Sequence, residues 1–227
     1  MTSIKMSVNV VALLAIAWLC QQTCRAQSDV SASADHLIPP VTEDAQDAAY
    51  HKIMREKLFV TPANYGRILI IPSGVEGETS IALYSEATPA RGIEFRITCT
   101  KAQKNIWFAT SESSPKRSEN PVIRVARYDA TVPRTAIEAV HDALKKEIER
   151  RKPLEPIGKA YVDGTAIEFA LPRSGGKTAV GIFGPATQGP RMSQLVRLTK
   201  ALTRYCMSPS NRSMLVGQVE DIARSLR

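Results

Sequence analysis

Apolar and polar residues alternate through Gly92–Thr100: Ile93, Phe95, Ile97 and Cys99 fall on one side, Glu94, Arg96, Thr98 and Thr100 on the other. That period of two marks a strand with one buried and one wet face, as in an antiparallel sheet covered on a single side. "TAIEFAL" repeats the pattern, with Ile167, Phe169 and Leu171 opposite Ala166, Glu168 and Ala170. Arg67–Ile71, Ser80–Ser85, Asn105–Thr110 and Val122–Tyr128 are further strand candidates, separated by turn residues in "PSGVEGE" and "ATPARG" and by the polar loop "SESSPKRSEN". "YVDGTAIEF" places Asp163-Gly164 at a two-residue hairpin turn.

Four stretches show the helical period instead. Thr42 caps the first, with Glu43 and Asp44 in its opening turn; it runs to about Lys57, turns Tyr50, Ile53 and Met54 inward, and cannot pass Thr61-Pro62. The second starts near Pro133, ends near Arg151 and carries the stripe Ile137, Val140, Leu144 and Ile148. Pro190–Tyr205 shows Met192, Leu195, Leu198 and Leu202, and Pro209–Leu226 shows Leu215, Val219, Ile222 and Leu226. Strand runs and helices in no strict alternation point to an α+β fold: one domain over 41–227, with a largely antiparallel sheet and helices packed on one face.

The first 40 residues read differently. After Lys5, Val10–Cys20 is an apolar run of eleven, "VVALLAIAWLC", well short of the roughly 20 residues of a membrane span. "CRA" places small residues for a cut after Ala26, so 1–26 is read as a signal peptide, and the Ser/Ala-rich 27–40, ending Pro-Pro, as a flexible leader. An uncleaved membrane anchor is the alternative. Export implies the periplasm or the outside of the cell. The whole chain has 30 basic and 22 acidic residues, net +8; losing Lys5 and Arg25, and no acid, lowers this to +6. The balance favours anionic partners. No later stretch is apolar enough to span a membrane. Cys20 and Cys24 also leave with the signal peptide, so Cys99 and Cys206 remain as a possible disulfide in an oxidising compartment.

Several short pieces follow one another along the chain. "IPSGVEGETSIALYS", "KNIW", "VDGTAIEF" and a later "GP" before an amphipathic helix, spread over residues 67–205, resemble a class of small exported bacterial proteins of unknown function. The resemblance implies an α+β fold and a bacterial periplasm, and it brings no catalytic residues.

Candidate chemistry is sparse. "RSGGKTAVGIFGP" invites a phosphate-loop reading through Gly176-Lys177-Thr178, but Leu171 stands where the first Gly is required. The residues after Lys177 are β-branched and aromatic rather than helical, so "PRSGGK" is expected to join two antiparallel strands. His36, His51 and His141 are the only histidines and have no metal-ligand spacing, so neither a metal site nor a cofactor is expected. His141 lies on or beside the buried stripe of its helix, either a packed residue or a catalytic suspect. Ser73 has Glu76 and Glu78 nearby but no motif His, and Glu94, Asp163 and Glu168 fit turns or wet strand faces. Trp107 alternates with Ile106 and Phe108, which puts it on an exposed binding surface or in a second apolar layer. Asn211-Arg212-Ser213 is a glycosylation sequon, relevant only to a eukaryotic chain.

Arg197, Lys200 and Arg204, at i, i+3 and i+7, line one side of their helix beside Leu195, Leu198 and Leu202. They are the candidate anion-binding residues, against the plainer reading of a solvated helix face. The expected function is a non-enzymatic, exported binding or envelope-associated protein of unknown ligand, with an anionic polymer or an envelope component as the candidate partner. The alternative is a small hydrolase acting on an envelope component, with His141 and a carboxylate as its machinery.

Overall fold

The chain builds its sheet from strands whose successive side chains face opposite sides. The structure, a computed structural model, describes residues 35–40, 48–90, 92–110, 122–153, 164–184, 187 and 189–227. In chain order these form α1 (Ala48–Leu58), β1 (Gly66–Ile71), β2 (Thr79–Thr88), β3 (Gly92–Ala102), the short α2 (Ile106–Thr110), β4 (Val125–Thr131), α3 (Arg134–Glu149), β5 (Ala166–Pro172), β6 (Thr178–Phe183), α4 (Pro190–Met207) and α5 (Arg212–Ser225). The strands make one sheet of order β4-β3-β2-β1-β5-β6, and every pairing is antiparallel. This is the α+β fold expected, with helices against an antiparallel sheet.

β1 to β4 follow one another as a meander. α3 then carries the chain from the β4 edge back across the sheet to β5, on the far side of β1. Ile68, Ile81, Leu83, Ile97, Cys99, Phe169 and Leu171 project from one face into the stripes of α3, α4 and α5. Every stripe residue read from the helical period is buried there, from Ile137 to Leu226. The alternate positions face the other way. Leu69 and Ala102 meet Tyr50, Met54 and Leu58 of α1 and Ile106 of α2 in a smaller second cluster.

"PRSGGK" does join antiparallel strands. A tight turn over Ser174–Gly176, with Gly175 and Gly176 at φ of +76° and +71°, leads into β6 at Thr178. Lys177 is extended, so no helix N-terminus opens there to hold a phosphate.

Three local expectations change. Asn105–Thr110, expected as a strand, forms α2, because its first amides are held by side chains. The Asn105 side-chain oxygen accepts from Phe108 N–H at 3.2 Å, and Glu78 accepts from Ile106 and Trp107 N–H at 2.8 and 3.3 Å. Trp107 thereby sits half-buried at the rim of the second cluster, edge-on to Phe108 with ring centroids 5.2 Å apart. The strand expected over Val122–Tyr128 runs from Val125 to Thr131, the span that finds partners on β3. Asp35–Pro40, placed in the leader by composition, is fastened to the domain. Leu37 is fully buried, and Ile38 and Ile182 exchange backbone hydrogen bonds at 2.8 and 2.9 Å. Thr42, read as a helix cap, and Asp163 of the expected hairpin turn lie outside the described residues, as do residues 1–26.

Candidate functional site

Pro190 opens α4, and the Asp35 carboxylate accepts the N–H groups of Arg191 and Met192 at 3.3 and 3.0 Å, the role of a capping residue supplied from elsewhere in the chain. The buried stripe fixes the rotation of α4. Val196, Thr199, Lys200, Thr203 and Arg204 are left overhanging one end of the sheet, where a groove of about 430 Å³ opens. That volume suits a small-molecule site. Ile70, Ile167 and Phe183 form the apolar part of its wall, and Thr79 and Lys101 continue it. Thr199 and Thr203 spend their hydroxyls on the helix carbonyls of Leu195 and Thr199, at 3.0 and 2.8 Å. What they offer the groove is chiefly methyl surface.

Two of the three candidate anion-binding residues, Lys200 and Arg204, therefore line the groove, and both are exposed. Lys101, which sequence spacing cannot connect to them, joins from β3. Arg197 does not reach; its guanidinium donates to Gln194 at 3.3 Å. Glu76 is the only carboxylate among the described lining residues. Among the described residues no ion pair forms to Lys101, Lys200 or Arg204.

The charged residues on the opposite sheet face contrast with this. Arg96 bonds Glu86 at 2.5 Å, Arg127 meets Asp129 at 3.2 Å, and Thr98 donates to Asp129. Burial alone would raise the Asp129 pKa, but Thr98 and Arg127 more than offset it and hold the carboxyl below its usual value. Arg67 donates to Ser80 and to the Thr61 carbonyl at 2.9 and 2.5 Å and lies over the Phe59 ring. Burial pulls its pKa down to about 10, against the opposing pull of Glu168. These charges are spent within the fold, whereas those at the groove form no ion pair among the described residues.

The loop between β1 and β2 forms the groove's other lip and is held firmly. Asn105 donates to the Gly74 carbonyl at 2.7 Å, and Ala102 N–H donates to the Glu78 carbonyl at 2.9 Å. A side chain at Gly77 would overlap the Ala102 carbonyl. Glu78, which the sequence places near Ser73, is fully buried and anchors α2. Burial pushes its pKa up, opposed by the α2 amides and Tyr50. A carboxyl whose pKa rises on folding holds its proton more tightly in the native state. Stability should thus fall as pH climbs from the unfolded carboxylate range through the raised folded value, then level off. Glu78→Gln is expected to remove that slope. Glu78→Ala should cost about 2–3 kcal/mol by leaving buried amides without an acceptor. Urea titrations across the acid range check both; an unchanged slope in Glu78→Gln contradicts the assignment.

The remaining candidates stay apart from the groove. His141 is half-buried, its Nδ1 2.9 Å from the Tyr65 carbonyl and its ring edge-on to Tyr65. It borders a separate hollow of about 370 Å³ with Lys145, Glu149, Arg173 and Ser174, and no carboxylate bonds its ring among the described residues. His51 packs beside Tyr50. Ser73 is exposed on its turn, and Glu94 and Glu168 are half-buried on their strands. No group of His, Cys, Asp or Glu among the described residues has the arrangement of a metal site. Nor is any described helix long and apolar enough to cross a membrane.

Cys99 and Cys206 do meet, because α4 crosses the β3–β4 end of the sheet. Both are buried, and both are free thiols in this structure. The Cys206 thiol donates to the Tyr128 carbonyl at 3.1 Å. Burial, and then the Cys206 thiol beside it, push the Cys99 pKa strongly up, which disfavours Cys99 as a nucleophile.

No family model, curated protein or solved structure matches the chain.

Proposed function

We propose that this is an exported, non-enzymatic binding protein that holds an anionic envelope component in the groove beneath α4. The observation that carries the reading is the convergence of Lys101, Lys200 and Arg204 on one groove with no ion pair among the described residues. Cations around a concave, partly apolar wall raise the local concentration of anions, and the attraction weakens as salt screens it. Export rests on the short apolar run before "CRA", and the basic balance of the chain favours an anionic ligand.

Dextran sulfate is a suitable probe. It should bind at low salt and be released as salt rises. The variant Lys101→Gln/Lys200→Gln/Arg204→Gln, altered only at polar rim positions, should fold as the parent does. It should bind about tenfold or more weakly at low salt, with a flattened salt dependence; tenfold corresponds to about 1.4 kcal/mol. Arg197→Gln should have little effect. Parent-like binding by the folded triple variant would remove the groove as the site.

A further inference from the structure

We propose that the groove takes a single-chain anionic amphiphile, a fatty-acid-like carboxylate, with its tail along Phe183, Ile167 and Ile70 and its head among Lys101, Lys200 and Arg204. This rests on the anion-binding reading above and adds the apolar half of the ligand.

The strand register supports it. Phe183 pairs with Ile167, Ile167 with Ile70, Ile70 with Thr79, and Thr79 with Lys101. One row thus crosses five strands, and with strands roughly 4.8 Å apart it is about 19 Å long. Its positions grade in order from aromatic and aliphatic side chains, through a threonine, to a lysine. Phe183 and Ile70 are half-buried hydrophobic residues packed at the edge of the main core, as is Val196 above them.

α4 is laid along the row in the same sense. Its start is held near β6 by Asp35, three residues before Ile38, which bridges Ile182. Its end lies over β3 and β4, where Cys206 reaches the Tyr128 carbonyl. Val196 therefore stands toward the apolar end, and Lys200 and Arg204 stand toward Lys101. A sulfated or phosphorylated polymer would engage the cations and leave Ile70, Phe183 and Val196 in water. A neutral lipid would cover the apolar wall and leave three cations unanswered. An anionic head on one acyl chain matches both ends.

Calorimetry with hexanoate, octanoate, decanoate and dodecanoate, each below its micelle concentration, tests the assignment, with dodecyl maltoside as the neutral-headed control. Each methylene buried should tighten binding about fourfold until the apolar end is filled. Lys200→Gln/Arg204→Gln should weaken dodecanoate about tenfold and leave dodecyl maltoside unchanged. Val196→Asn, at a half-buried helix position, should reduce the gain per methylene, with thermal unfolding confirming that the variant is folded. Affinity that does not depend on chain length, while dextran sulfate still binds, overturns the amphiphile and leaves the anion site standing. Failure of both probes overturns both readings. Equal affinity for the neutral and anionic heads also overturns the proposal.

Discussion

Protein folded under oxidising conditions is expected to carry a Cys99–Cys206 disulfide and to be about 4–5 kcal/mol more stable than the same chain folded in reductant. The two thiols are neighbours in the core at the crossing of α4 over β3, and the loop they would close spans more than 100 residues. In the chain-entropy account such a loop removes much of the freedom of the unfolded state, and native strain reduces the gain. Burial and the raised Cys99 pKa make the folded thiols unreactive, so the bond should form by exchange with a disulfide donor before the core closes. Thiol titration of denatured, unreduced protein checks this. Protein recovered from an oxidising compartment should show no free thiol, and protein refolded in reductant should show two. Two thiols in both samples would exclude the bond.

Arg191→Met is expected to cost about 3 kcal/mol although Arg191 is not itself fully buried. Its guanidinium bonds Glu147 and donates to the Leu226 carbonyl at 2.9 Å, joining α3 and α4 to the end of α5. The Glu147 side chain is only 1% exposed. Removing one partner of a buried pair leaves a charge without compensation, typically at 3–5 kcal/mol. The low end applies because Arg150 still meets Glu147 at 3.2 Å. Exchanging both partners, as in Arg191→Met/Glu147→Leu, should restore most of the loss, since apolar replacements leave no buried charge. Urea denaturation of the two single variants and the double variant gives the coupling directly. A double variant no more stable than either single would show that Glu147 does not depend on Arg191.

Local periodicity made most of the fold legible. The stripes of α3, α4 and α5 and the alternation in β5 each have one buried side, and burial of that side is what fixes their orientation; β3 departs from its expected wet face, since Thr98 and Thr100 are buried while Ile93 is exposed. α2 was hidden because "NIWFAT" carries strand-forming residues, while the acceptor that starts its helix, Glu78, is remote in sequence. Asn105 was the local signal: an Asn ahead of an apolar run is a helix cap as readily as a turn residue. Asp35–Pro40 was masked by its polar, Pro-rich surroundings, although Leu37 and Ile38 form an apolar pair suited to an edge contact with β6.

At the groove, Lys200 and Arg204 could be read from helical spacing because both lie on one element. Lys101 could not. It reaches them through strand pairing, and no spacing within the chain encodes which strand end lies beneath α4. Arg197 shows the converse limit: helical periodicity places it beside the other two, but the groove stops short of it. The Cys99–Cys206 contact was legible because each lies on the apolar side of its own element.

The most direct test of the central claim is a map of amide and methyl NMR shifts during titration with a short sulfated oligosaccharide. The changes should centre on Lys101, Lys200 and Arg204 and on the Glu76–Gly77 lip, and should fade as salt is added. Changes centred on the hollow of His141 and Arg173 or on the sheet face of Arg96 and Arg127, or a spectrum that does not move, would contradict it.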